Sequence, residues 1–261
     1  MTADPDDAVV SLTIDDAFAV VTLNRADRLN SQTPTVWQRL REIGGALPGT
    51  VRVVLVRGAG RSFSAGLDTA LFQPDGLPGE PSLAALAALS PEAGSKQIGE
   101  YQGGFAWLSR PDLISIAAVQ GHAIGAGFQL ALACDLRILA DDAQLAMAEV
   151  PLGLVPDLGG TRRLLEIVGY PRALEICLTG RRIPAPEALT LGLATRVVAA
   201  ADLPDQAEVL ARSLLELPRS ACVEVKALLQ QGALRSQADQ EIAERAAQHR
   251  LLRERAGFAD S

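Results

Sequence analysis

Residues 113–135, LISIAAVQGHAIGAGFQLALACD, decide how the chain is to be read. Leu113 to Cys134 carries no charge for 22 residues and is flanked by Asp112 and Asp135, about the length that crosses a bilayer. Three glycines, with Gln120, His122 and Gln129, interrupt the run. The pattern therefore predicts a buried strand over Leu113–Val119, a glycine turn over residues 121–127, and a buried helix ending near Cys134. The same order occurs upstream. Arg52–Arg57, dense in β-branched residues, reads as a strand; glycines at 58, 60 and 66 follow, then a short helix from about Asp68. Such junctions leave backbone N–H groups unpaired at a helix start, where peptide dipoles add partial positive charge. Two that face each other could clamp a developing oxyanion. Taken singly, each glycine is explained by a tight turn alone.

Working outward, Val9–Ile14 and Phe18–Leu23 read as strands joined by a turn at Asp15-Asp16. Pro34–Leu47 reads as a helix with Thr33 as N-cap. Residues 73–94 hold four prolines and three glycines, which predicts a mobile surface loop or lid. Ser95–Arg110 reads as a helix, and Asp135–Ala140 and Gln144–Met147 as short strands. From Gly159 onward helices dominate, broken by one strand at Ala194–Val198. Strands alternating with helices imply an α/β fold with a largely parallel, covered sheet. Residues 1–200 are expected to form the core, and residues 201–261 a C-terminal helical region for oligomerisation. Within it, Ala238–Arg255 reads as an amphipathic helix.

A net charge of −7, from 31 acidic and 24 basic residues, argues against nucleic acid as a partner. Arg162-Arg163 and Arg181-Arg182 remain as local basic spots, enough for one small phosphorylated ligand. Cys134, Cys177 and Cys222 form no CxxC pair, so neither a zinc site nor a disulfide framework is expected. Buried free thiols in a reducing compartment fit better. The start, MTADPDDAVV, lacks the order of a signal peptide, and a cytoplasmic location without membrane contact is expected. GAGRSFSAG (58–66) is not GxGxxG, and no GxxxxGK[ST] or GxSxG occurs. His122, a turn residue, and His249, on a surface helix, give little material for a Ser-His-Asp triad.

Five blocks in order then carry a resemblance: LNRADRLN (23–30), FSAGLD (63–68), AVQGHAIGAGFQLALACD (118–135), AEVPLGLVPDLGGT (148–161) and LTGRRIPAPEALTLGLATRVV (178–198). Together the chain resembles the enoyl-CoA hydratase/isomerase (crotonase) family over residues 8–232. The resemblance implies a spiral of ββα units with a helical C-terminal region, assembled as a homotrimer or hexamer. It implies an acyl-CoA thioester substrate whose carbonyl oxygen sits between the backbone N–H groups of Leu67 and Ala126. The Leu67 side chain should narrow the acyl pocket. Arg25, Arg28, Ala65 and Asp68 fall in the CoA-binding blocks, and Asp68 also suits the cap of its short helix. Ala70 stands where some members carry a basic residue. No metal and no separate cofactor are implied, coenzyme A being part of the substrate.

Three positions decide the reaction within that family: Gln129, Glu149 and Asp157. Hydratases of this type carry glutamates at the first two, whereas Gln129 can hold a water but cannot titrate. Dienoyl-CoA isomerases carry an aspartate at the third, with an acid at the first. Simple Δ3,Δ2-enoyl-CoA isomerases work with one glutamate, which Glu149 matches. An isomerase-like proton shuttle is therefore expected, with hydratase, dienoyl-CoA isomerase and non-catalytic acyl-CoA binder as alternatives. Glu149 could instead cap the loop before Pro151, and Asp157 could N-cap the helix starting near Gly159.

Overall fold

A computed structural model describes residues 9–73 and 76–258. Most of the acidic N-terminal stretch and the Pro74-Asp75 step of the expected loop lie outside the described residues. The chain opens with an antiparallel hairpin, β1 (Val10–Asp15) and β2 (Phe18–Leu23). Asp16 turns it with φ 53°, a left-handed conformation that Asp tolerates better than most side chains. Helix α1 (Pro34–Ala46) starts as expected: the Thr33 hydroxyl accepts the Val36 N–H, and Pro34 occupies the first turn.

Strands β3 (Val53–Gly58) and β4 (Ile114–Val119) follow, separated by α2 (Leu83–Ala87) and α3 (Pro91–Ala106). Here the expected loop over residues 73–94 is corrected. The Ser82 and Ser90 hydroxyls accept the N–H groups of Ala85 and Ala93, and Pro91 begins α3 rather than ending a loop. A proline at a helix start costs no hydrogen bond, so it marks a beginning as readily as a break.

Next come β5 (His122–Ile124), α4 (Ala126–Ala133), β6 (Leu136–Ala140) and β7 (Gln144–Ala146). Beyond them lie α5 (Gly160–Val168), α6 (Tyr170–Thr179), β8 (Ile183–Pro184), α7 (Ala185–Thr190) and β9 (Arg196–Val198). Six strands form one sheet in the order β1-β2-β3-β4-β6-β9, parallel from β2 onward, and β5-β7-β8 form a smaller one. The central strands β3 and β4 are buried on both faces, so they are almost continuously apolar. Val54 and Val56 face the main core with α1, α3 and α4. Val53 and Leu55 face the other way, where α8 (Leu203–Leu215) packs Leu203, Ala207 and Ala211 against them.

The remaining helices, α9 (Arg219–Gly232) and α10 (Gln237–Arg255), form a hairpin. Only Ala247 of α10 is fully buried, and Ile242 and Leu252 stay exposed. Lys226 pins α9 to the sheet, its Nζ reaching Asp135 Oδ2 at 2.7 Å and the Leu113 carbonyl at 2.8 Å. Cys134 is buried at the end of α4, but Cys177 and Cys222 are only half-buried. No helix among the described residues is long and apolar enough to cross a membrane.

Candidate active site

The two glycine turns meet. Asn30, at φ 53°, holds the first from behind: its Nδ2 donates to the carbonyls of Ala59 and Ser62, both at 2.8 Å. Ser64 Oγ donates to the Asn30 carbonyl at 2.8 Å and accepts from Gln32 Nε2 at 3.1 Å. Gln32 also clasps the backbone on both sides of Leu67, donating its N–H to Gly66 and accepting that of Asp68. The second turn runs alongside, with Ser64 N–H donating to the His122 carbonyl and Ile124 N–H to the Ser64 carbonyl.

Contact between the turns explains two glycines better than turn geometry alone. A Cβ on Gly66, at φ 89°, would lie 2.4 Å from the Ile124 carbonyl oxygen and 3.7 Å from the Ala126 nitrogen. One on Gly127 would lie 2.5 Å from the Ser64 carbonyl oxygen. Among the described residues, neither the Leu67 nor the Ala126 N–H meets a protein acceptor. Ala126 opens α4, so its N–H is one that a helix cannot satisfy itself.

Glu149 stands beside this junction. Its Oε1 lies 3.2 Å from where a Gly125 Cβ would be, and accepts from Gln129 Nε2 at 2.7 Å. Its Oε2 is buried without a partner among the described residues. Burial pushes the carboxyl's pKa up; its own main-chain N–H, the Gln129 hydrogen bond and the Ala148 N–H oppose this, and the Asp157 charge adds to it. The side chain does not cap the turn before Pro151. The Glu149 main-chain carbonyl serves there instead, accepting the N–H groups of Leu152 and Leu154.

Gln129, on α4, is 1% exposed. Its Oε1 accepts from Leu158 N–H at 2.8 Å and Gly160 N–H at 3.3 Å. Asp157, just before them, does not N-cap α5: the cap position is Gly159, with no side-chain bond. The helix starts too late for the Asp157 carboxylate to reach its first N–H groups. Half-buried, Asp157 has its pKa raised by desolvation. Cys177 of α6, which the sequence did not flag, lies close enough to feel the Glu149 charge.

Arg25 and Asp68 form an ion pair at 3.0 Å, and Arg25 also donates to the Ser31 carbonyl and hydroxyl. Asp68 Oδ1 caps the short 3-10 turn Thr69–Phe72 through the Ala70 N–H. Burial would raise the Asp68 pKa, but Ala70, Ser31 and Arg25 together hold it below the usual value. Arg28 is exposed, 3.7 Å from Asp27, and the half-buried Ala65 donates its N–H to Leu29. Among the described residues, the His122 ring meets Ser62 Oγ, at 3.2 Å. Among the described residues, no cluster of three His, Cys, Asp or Glu side chains is placed to hold a metal ion.

The chain belongs to the enoyl-CoA hydratase/isomerase family, whose model matches residues 13–257. Its architecture is the crotonase-type α/β fold. A Thermobifida fusca YX protein crystallised with CoA is 49% identical, covering 96% of this chain and 95% of its own, with a TM-score of 0.91. The same protein was also solved with acetoacetyl-CoA. Among curated relatives, the Mycobacterium leprae protein named probable enoyl-CoA hydratase echA8 is 34% identical over 208 residues, 77% of this chain and 73% of that protein. Escherichia coli K12 carnitinyl-CoA dehydratase is 41% identical over 169 residues, 63% of this chain and 58% of that protein.

Proposed function

We propose that this protein is an enzyme acting on acyl-CoA thioesters, with Glu149 as a single acid-base group and an isomerase-like preference. The observation that carries the reading is the buried, unpartnered Oε2 of Glu149 beside the Gly125-Ala126 junction. A thioester oxygen received by the N–H groups of Leu67 and Ala126 puts the α-carbon next to that carboxylate. Negative charge then develops on the oxygen beside two donors that have no protein acceptor among the described residues, so little reorganisation is needed. Burial makes Glu149 a stronger base than an ordinary carboxylate, as proton abstraction requires. Removing a proton at C2 of a 3-enoyl thioester and returning one at C4 needs one such group. Adding water needs two, and Gln129 cannot titrate.

The nucleotide end of CoA is assigned to the rim beside Ala65, where Arg25 is braced by Asp68 and Arg28 extends outward. No metal or separate cofactor takes part. Leu152, Val155, Tyr170 and Leu178 leave apolar surface exposed around α6, which supports a homotrimer or hexamer. A hydratase reading is favoured by the hydratase and dehydratase names of the relatives and by Asp157, which, half-buried and felt by Glu149, supplies a second carboxylate.

The test compares the rate of 3-enoyl- to 2-enoyl-CoA conversion with that of 2-enoyl-CoA hydration, in wild type and Glu149→Gln. Isomerisation should be the faster reaction, and Glu149→Gln should lower it by roughly 10²-fold or more while acyl-CoA still binds. Faster hydration by the wild type would favour Asp157 as partner. Full activity in Glu149→Gln would remove the proposal.

A further inference from the structure

We infer that Gln129 is a positioning residue whose amide is locked in one orientation, so that Glu149 meets the substrate through Oε2 alone. This rests on the reading of Glu149 as the base. A primary amide could present either its oxygen or its nitrogen to a neighbouring carboxylate. At Gln129 the choice is made elsewhere: Oε1 accepts two main-chain donors, Leu158 N–H and Gly160 N–H, at the entry to α5. These donors cannot be reversed, so Nε2 must face Glu149 Oε1, where it lies at 2.7 Å. Gly160 permits the closure, since a Cβ there would fall 2.6 Å from Gln129 Cγ.

Three consequences follow for Glu149. One carboxylate oxygen is engaged by a donor that never leaves. The other, buried and without a partner among the described residues, is left for the substrate. The donor also favours the ionised form against a burial that favours the protonated one. The other titratable groups facing Glu149 are Asp157, on the loop into α5, and Cys177, on α6. Both add negative charge when ionised, and Gln129 is the side chain that opposes them, together with the main-chain N–H groups of Glu149 and Ala148.

The chemistry then runs through one atom. The C2–H bond breaks, its proton goes to Oε2, and its electron pair forms the C2–C3 double bond as the carbonyl takes up and then releases charge. The C3–C4 π pair takes the proton back from Oε2 at C4. Because Oε2 is shielded, part of the label in a 2-deuterated 3-enoyl-CoA should reappear at C4.

The experiment measures kcat/KM for isomerisation against pH in wild type, Gln129→Met and Gln129→Glu, and label transfer in the wild type. Activity rises with pH as Glu149 ionises. Gln129→Met keeps the volume but removes the donor, and should move that limb up by about one pH unit, the worth of a hydrogen bond to a charged group. Gln129→Glu should move it further, since two facing carboxylates cannot both ionise at ordinary pH. A purely structural glutamine would lower the melting temperature and leave the limb in place; that result, in an enzyme that Glu149→Gln inactivates, would overturn the inference alone. Absence of any C2-to-C4 transfer in the wild type would overturn it even if neither variant folds. A wild type without turnover, or one indifferent to Glu149→Gln, would instead defeat the reading beneath it.

Discussion

Gly66→Ala tests whether contact between the two turns, rather than the shape of either, aligns the donor pair. Two costs arise at this position. Holding an L-residue at φ 89° costs roughly 1–2 kcal/mol. In addition, the new methyl would sit 2.4 Å from the Ile124 carbonyl oxygen, a rigid main-chain atom. To reach ordinary contact one turn must retreat from the other by about 1 Å, and overpacking of this kind costs about 1–3 kcal/mol. Gly79 separates the two costs, since it has φ 80° but nothing within 4 Å of a Cβ. Gly79→Ala should therefore lose only the conformational part, and Gly66→Ala should be the less stable of the two by the overpacking part. The same retreat separates Leu67 from Ala126. Misplacing a reacting group by about 1 Å can cost on the order of 10²-fold, so kcat/KM should fall by about that factor while CoA-thioester affinity changes little. Urea denaturation of both variants, with isomerase turnover and direct binding, checks the argument. If Gly66→Ala unfolds alongside Gly79→Ala and keeps wild-type turnover, the contact between the turns does not matter and the reasoning fails.

Two further substitutions test the surroundings. Asp157→Asn removes a charge that raises the Glu149 pKa; the rising limb of the pH–rate profile should move down, with an unchanged melting temperature because Asp157 does not cap α5. A lowered melting temperature with a fixed limb would assign Asp157 to structure instead. Lys226→Met strips Asp135 of its cation but leaves it the Ser115 N–H and hydroxyl. Breaking a buried pair typically costs about 3–5 kcal/mol, and the remaining donors should hold the loss to the lower end; calorimetry showing no loss would mean that α9 docks without the pair.

How much of this was legible in the sequence depended on where each constraint originates. Strands buried on both faces declare themselves by composition, so β3 and β4 were read nearly to the residue. Thr33-Pro34 announced α1 because a cap and a helix-starting proline are local signals. The same local logic failed over residues 73–94, where prolines were counted as breaks although Ser90-Pro91 repeats the pattern of Thr33-Pro34. Strands β5 and β8, of three and two residues, are too short to show a period and exist only through their pairing with β7.

In the site, the division is sharper. Glu149 and the two glycine turns could be found, the turns by their strand–glycine–helix order and Glu149 by its place in a familiar block. What those residues do to one another could not. Gln129 looked like a glutamate lost from a catalytic pair, because its side chain was judged by what it lacks. Its partners are two main-chain N–H groups about thirty residues on, and a backbone donor has no letter in a sequence. The same holds for Gly66 and Gly127, whose missing side chains answer to carbonyl oxygens on the opposite turn. The N-cap role that the sequence leaves open for Asp157 beside a catalytic one fails because helix starts are uncertain by a residue or two, and here the Gly159 cap shifts α5 beyond its reach. A substituted side chain can therefore preserve the geometry of a site while changing its proton inventory. At position 129 an amide keeps both α5 and Glu149 in place, yet leaves one titrating carboxylate where a glutamate there would give two.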